Sequence, residues 1–306
     1  MNIERIEFTS GGTTCSATVF TTGAHEDAPA VIMCTGFSGT QDTPSIEAAA
    51  LAFAEAGYVA VTFDYRNFGA SAGQPRQLID IAGQIADIAA VIARVRELPS
   101  VDPDAITLWG TSLGGAHVIT AAAADARIAA VVAQIPFNGF PRKVEGRSRK
   151  STLALLWAMV RDQLHGWLGR EPYYIAAVGG SGELAVMTGP EVTATIAALE
   201  SPTWENRVAP RALLQMMRYQ PERSARRLGM PVLVCIGERD KETLAVDSAR
   251  LGDNAPHGTV RRYPFSHFEF YRPEIREQVL ADQIAFVDKA LGRTSTGGNE
   301  SAAGPR

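Results

Sequence analysis

The chain has 306 residues, and 29 Lys+Arg against 33 Asp+Glu give a formal charge of −4. With 46% apolar and 20% charged residues, and a mean hydropathy of −0.02, it is a globular sequence long enough to bury a core without disulfides or a structural metal. The mild acidity offers no bulk attraction for nucleic acid or an anionic membrane, and no run approaches the ~20 uncharged apolar residues of a membrane span. Cys15, Cys34 and Cys235 are odd in number and sit in apolar runs, so they read as buried, inert thiols of a reducing compartment. The opening Met1-Asn2-Ile3-Glu4-Arg5 lacks the apolar core of a signal peptide, and a cytoplasmic protein is expected.

Residues 3–8 and 16–20, separated by Gly11-Gly12, read as an antiparallel hairpin. Short runs that are apolar on both faces follow at 30–34, 58–63, 106–109, 128–135 and 232–236. Such runs suit central strands of a parallel sheet covered by helices on both sides. Helical patterns fall between them. The pattern at 46–56 stops at Gly57, and 80–98 carries Ile81, Ile85, Ile88, Ile92 and Val95 as one stripe. Residues 113–124 follow a glycine-rich turn, 260–263 form a late strand, and 274–291 close the domain after Pro273. The alternation predicts an α/β fold with a mostly parallel central sheet and helices on both faces.

The rhythm breaks between 137 and 227. No strand of this type is visible there, and helical patterns at 153–168 and 191–199 are interrupted by Gly179-Gly180, Gly189-Pro190 and Pro202. Segment 137–227 is therefore expected to be an inserted, mainly helical cap on a core made of 1–136 and 228–292. The 293–306 tail is rich in Gly, Ser and Thr, and disorder is expected.

Gly110-Thr111-Ser112-Leu113-Gly114-Gly115 carries the strongest chemical signal. A G-x-S-x-G between a buried strand and an apolar helix is a tight turn that exposes its serine, and only small flanking residues avoid a clash. The helix N-terminus also favours negative charge developing beside Ser112. A serine hydroxyl needs a base, and the base an orienting acid. Among five histidines, His25 lies in a polar loop, His117 inside the helix after Ser112, His165 in the cap and His257 in a Pro/Gly loop. His267 follows the late strand, which brings it to the same sheet edge as Ser112. The acid is expected after the 232–236 strand, with Asp240 the choice and Glu238 in reserve.

Ser112, Asp240 and His267, in that order along an α/β chain, resemble the α/β-hydrolase superfamily. More closely, Cys34-Thr35-Gly36-Phe37-Ser38-Gly39, Asp64-Tyr65-Arg66-Asn67-Phe68-Gly69 and His267-Phe268-Glu269 are similar to bacterial esterases related to dienelactone hydrolases and Xaa-Pro peptidase-like hydrolases. The resemblance implies an oxyanion hole from the backbone amides of Phe37 and Leu113. Thr35 departs from the histidine that usually precedes that glycine.

The expected activity is serine hydrolysis of an ester, thioester or lactone bond in a small, largely apolar substrate. Acyl transfer or C–C bond hydrolysis with the same residues stays open, as does a non-catalytic binding role. Trp157, Met159, Trp167, Trp204 and Met216 are the pocket candidates, because broad aromatics and adaptable methionines suit an apolar pocket. No GxGxxG, P-loop or metal-ligand spacing occurs, so no cofactor and no metal are expected. Asp64 and Arg66 read as a structural pair. The basic residues Arg142, Lys143, Arg147, Arg149 and Lys150 read as a solvated loop, with an acidic substrate group or a carrier protein as the alternative contact. The expected partner is a small acyl substrate, and a homodimer stays open.

Overall fold

A computed structural model describes residues 1–23, 26–140, 148–188 and 192–293. His25, Gly189-Pro190, the tail after 293 and most of the 142–150 basic run lie outside the described residues. Strands β1 (Asn2–Ser10) and β2 (Thr13–Thr21) pair as the expected hairpin. Gly11 and Gly12 turn it at φ 54° and 79°, where a Cβ is strained.

The chain then alternates. It runs through β3 (Ala28–Cys34), α1 (Pro44–Glu55), β4 (Val59–Phe63), α2 (Ile81–Arg96), β5 (Val101–Thr111), α3 (Leu113–Ala122) and β6 (Ile128–Gln134). The segment after β6 holds α4 (Arg149–Trp167), β7 (Ala176–Gly179), β8 (Ala185–Thr188), α5 (Val192–Leu199), α6 (Ala212–Met216) and α7 (Pro221–Ala225). Strand β9 (Val232–Gly237), α8 (Ala245–Asn254), β10 (Gly258–Tyr263) and α9 (Pro273–Ala290) complete it.

Among the described residues the main sheet has eight strands in the order β1-β2-β4-β3-β5-β6-β9-β10. From β4 to β10 every neighbouring pair is parallel. The fold is that of an α/β-hydrolase. Every residue of β4 and of β9 is buried, as runs apolar on both faces require. Along β3, Ala30, Ile32 and Cys34 join one core, while Val31 and Met33 join the other. The first core lies under α2, α3 and α8 and continues into Leu155, Met159 and Leu213 of the 137–227 segment; the second lies under α1 and α9. All three cysteines are buried, and burial pushes Cys34 and Cys235 up to about 12.

One expectation needs an addition and one a correction. The 137–227 segment, expected to be mainly helical without strands of the sheet's type, also holds β7 and β8, which pair with each other in parallel. At four residues each they are too short for an alternation to show in the sequence. Asp64 and Arg66 do not pair. Asp64 accepts the Gln41 amide at 2.7 Å, the Gln41 Nε2 at 2.8 Å and the Ala70 amide at 2.8 Å. Arg66 instead binds Asp87, with Nη2 2.6 Å from Oδ1. Asp64 thus anchors the end of the β3–α1 loop that carries Phe37. Among the described residues no helix is long and apolar enough to cross a membrane.

Candidate active site

Ser112 is the single residue between β5 and α3, at φ 54° and ψ −118°. An L residue avoids that conformation, so neighbours must impose it. They do so by proximity. A Cβ on Gly110 would collide with the Gly114 carbonyl group, and one on Gly114 with the carbonyls of Cys34 and Thr35. A Cβ on Gly115 would sit 3.0 Å from Pro136 Cβ. The Ser112 amide donates to Gln134 O at 2.9 Å, and the Phe137 amide donates to Ser112 O at 2.9 Å. The turn is locked between β5, β6 and the β3 loop.

Asp240 follows β9, and His267 stands between β10 and a 3-10 turn at Phe268–Tyr271. Strands β5, β9 and β10 run parallel through β6, so all three side chains leave the same carboxyl edge. His267 Nδ1 lies 2.7 Å from Asp240 Oδ2, and both residues are buried. A proton on Nδ1 satisfies that contact and leaves Nε2 as an acceptor. Asp240 Oδ1 accepts the amides of Glu242 and Thr243, each at 2.8 Å, and the Thr243 hydroxyl lies 2.9 Å from Oδ2.

These contacts set the charges. Burial pushes the Asp240 carboxyl up, but the charge and hydrogen bond of His267 and the Thr243 donors outweigh it, leaving it below its ordinary value. Burial likewise works against the His267 imidazolium. The charge and hydrogen bond of Asp240, with Glu242 adding to them, nonetheless hold its pKa above the ordinary value.

The other histidines are used elsewhere. His117 is buried in α3, with Nδ1 3.1 Å from the Tyr219 hydroxyl and Nε2 3.0 Å from Gln84 Oε1. Burial pushes it down to about 3, so it stays neutral. His165 meets the Glu171 carbonyl at 2.8 Å, and His257 is exposed. Glu238, the reserve acid, is also exposed.

Ser112, Phe37, Leu113 and His267 border an apolar cavity of about 250 Å³. The amide of Leu113 opens α3, where it has no acceptor within the helix. Ser38, at φ 55°, turns the chain just after Phe37.

Of the five pocket candidates, Met159 and Met216 line this cavity and the three tryptophans do not. Trp157 is 56% and Trp167 74% exposed, because the outward face of α4 carries both. Trp157 packs edge-on to Tyr173 under the Arg161 guanidinium. Trp204 packs against the main core away from the cavity. Leu155 and Leu213, not singled out in the sequence, also line it. Thr243 was missed too, although Asp-x-x-Thr is a recognisable side-chain-capped turn.

The family model described as serine aminopeptidase, S33, matches residues 26–268. The chain belongs to that family of α/β-hydrolases. The quorum-quenching protein AidA of Acinetobacter baumannii (strain MDR-ZJ06) is 36% identical over 289 residues, 94% of each chain. Polyketide transferase claH of Penicillium crustosum is 28% identical over 313 residues, 96% of this chain and 99% of its own. The crystal structure of α/β hydrolase GrgF from Penicillium sp. sh18 superposes with a TM-score of 0.80 at 23% identity. It covers 95% of this chain and 100% of that one, a likeness of fold. As an S33-family member the chain is an enzyme of the hydrolase and acyl-transfer type.

Proposed function

We propose that the chain is a serine hydrolase that cleaves an ester, thioester or lactone bond of a small, largely apolar substrate. Ser112 Oγ attacks the acyl carbonyl carbon while His267 Nε2 takes the hydroxyl proton. Asp240 holds the imidazole in the tautomer with Nδ1–H and stabilises the imidazolium. The amides of Phe37 and Leu113 bind the oxyanion, an interaction worth about 3–4 kcal/mol per donor in comparable sites. The tetrahedral adduct then expels the alcohol or thiol, which takes the proton back from His267. Water repeats the cycle on the acyl-enzyme and releases the acid. Segment 137–227 acts as the cap that supplies the acyl wall.

One observation carries this reading. A serine held at φ 54° borders the same cavity as an imidazole whose far nitrogen lies 2.7 Å from a buried carboxylate. A fluorophosphonate probe should label the wild type and not Ser112→Ala, and a screen of esters, thioesters and lactones should find turnover in the wild type alone. Labelling that persists in the variant places the nucleophile elsewhere. Transfer of the acyl group to an alcohol or thiol is the second reading, favoured by the relative named a polyketide transferase. Added acceptors would then yield acylated acceptor in place of free acid, and β-diketone substrates would report C–C bond hydrolysis by the same residues.

A further inference from the structure

A second, smaller cavity meets the first at Ser112. It measures about 30 Å³ against about 250 Å³. Phe37, Ser112, Met187 and His267 line both, so they stand at the junction. The chambers differ in chemistry as well as size.

The large chamber is walled by Leu155, Met159, Leu213 and Met216. Their flexible, unbranched or γ-branched side chains leave its shape adaptable. Exposed Leu156 and Met217 also line it, so its far end opens to solvent. The small chamber lies between the β3–α1 loop and the 3-10 turn, with hydroxyls from Thr35, Thr43, Thr111 and Tyr271 among its walls. Those walls are braced. The Thr35 hydroxyl donates to Gly39 O at 3.1 Å, Thr43 Oγ1 accepts the Thr40 amide at 3.3 Å, and the Thr111 and Tyr271 hydroxyls lie 3.1 Å apart. Asp42, in the same loop, accepts the Ser201 and Thr203 hydroxyls at 2.7 and 2.8 Å. A loop fixed at this many points does not widen on demand.

We infer that the large chamber takes an aliphatic acyl chain and the small one a leaving group or acceptor no larger than a short alcohol or thiol. This assignment rests on Ser112 acting as the nucleophile. An apolar cavity of about 150 Å³ holds a six-carbon ring, so the large chamber takes roughly ten carbons. A space of about 30 Å³ holds one or two waters, and so a group of roughly two carbons. The substrate class is a medium-chain acyl ester or thioester of a small alcohol or thiol. Longer chains emerge at the open end past Leu156 and Met217.

The test uses two isomers of equal carbon count, ethyl octanoate and octyl acetate, with ethyl acetate as a reference. Ethyl ester kcat/KM should rise about two- to fourfold per methylene up to roughly ten acyl carbons and then level off. Ethyl octanoate should exceed octyl acetate by about 100-fold. Met216→Trp should narrow the large chamber and lower the ethyl octanoate to ethyl acetate ratio about tenfold. Leu199→Ala, beside the small chamber, should raise octyl acetate relative to ethyl octanoate. If either variant fails to fold, the wild-type isomer ratio still decides. Octyl acetate turned over as well as ethyl octanoate, with Ser112 labelled by fluorophosphonate, overturns the chamber assignment alone. Absence of labelling and of turnover of any ester overturns the serine hydrolase reading and this assignment together.

Discussion

Ser112, Asp240 and His267 stand at the ends of β5, β9 and β10, whereas Leu155, Met159, Leu213 and Met216 reach the same cavity from helices α4 and α6. The first group is placed by backbone. Parallel ladders fix the strand ends, and Ser112, Asp240 and His267 follow the last residues of their strands, Thr111, Gly237 and Tyr263, directly or by a short loop. The second group is placed by side-chain packing on a segment between β6 and β9, which is continuous with one core of the sheet. Bond-making tolerates displacements of a fraction of an ångström, so it belongs on the rigid edge. Chain-length selection tolerates far more, so it suits leucine and methionine on helices.

If that division is right, substitutions at the sheet edge abolish turnover, and substitutions in the α4–α6 wall re-rank substrates. The largest effect is expected for Ser112→Ala, a loss of about 10⁴-fold or more in kcat with an unchanged circular dichroism spectrum. Steady-state kinetics with circular dichroism checks it. Retained turnover would break the comparison at its rigid side.

Asp240→Asn comes next, with about 10³–10⁴-fold lost, because the imidazole is then held in the wrong tautomer. Its pH profile sharpens the point. The base must be neutral, so wild-type activity falls as pH drops through the His267 pKa, which lies above the ordinary imidazole value of ~6.5. Removing the Asp240 charge leaves burial dominant, so the acid limb of Asp240→Asn should move to lower pH. An unmoved limb would show that another group sets it. The same pair contributes stability that is complete between ~3.9 and ~6.5, and that is lost as pH rises through the folded His267 pKa or falls through the folded Asp240 pKa.

On the adaptable side, Met159→Ala should change the ratio of kcat/KM between long- and short-chain substrates by about 1–3 kcal/mol, read from parallel kinetics. His117→Ala should cost about 1–3 kcal/mol of stability in denaturant melts, because it takes a partner from buried Gln84 and leaves Tyr219 only Thr120 and Ala116, and should leave the substrate ratio in place. Trp157→Ala and Trp167→Ala should do least of all. Both side chains face outward, so the substrate ratio should stay within experimental error.

The sequence and the structure agree most closely where one backbone requirement selects residue type. Gly110, Gly114 and Gly115 are dictated by close approaches around Ser112, and that pattern is visible in a linear string. The strands buried on both faces were legible for the same reason. The cavity wall on α4 and α6 was not. Helix α4 shows apolar residues on both sides, with Leu155, Ala158 and Met159 inward and Leu153, Trp157, Val160 and Leu164 outward. A helical period therefore cannot say which side meets the substrate, and large aromatic rings were a poor guide. Helix α8, with the sequence AVDSARLGDN, has too few apolar residues to signal itself. The Asp64–Arg66 pairing failed because Asp87, in α2, offers Arg66 both carboxylate oxygens across a tertiary contact invisible to local spacing.

The conformation of Ser112 has a consequence for how such a sequence ages. A non-glycine residue at φ 54° and ψ −118° costs about 1–3 kcal/mol in the folded state. Glycine would relieve that cost, less roughly 0.4–1 kcal/mol for its freer unfolded chain. Ser112→Gly should therefore melt later than the wild type while turning over nothing. On the proposed mechanism, a descendant released from its reaction would gain stability by drifting to glycine at this position.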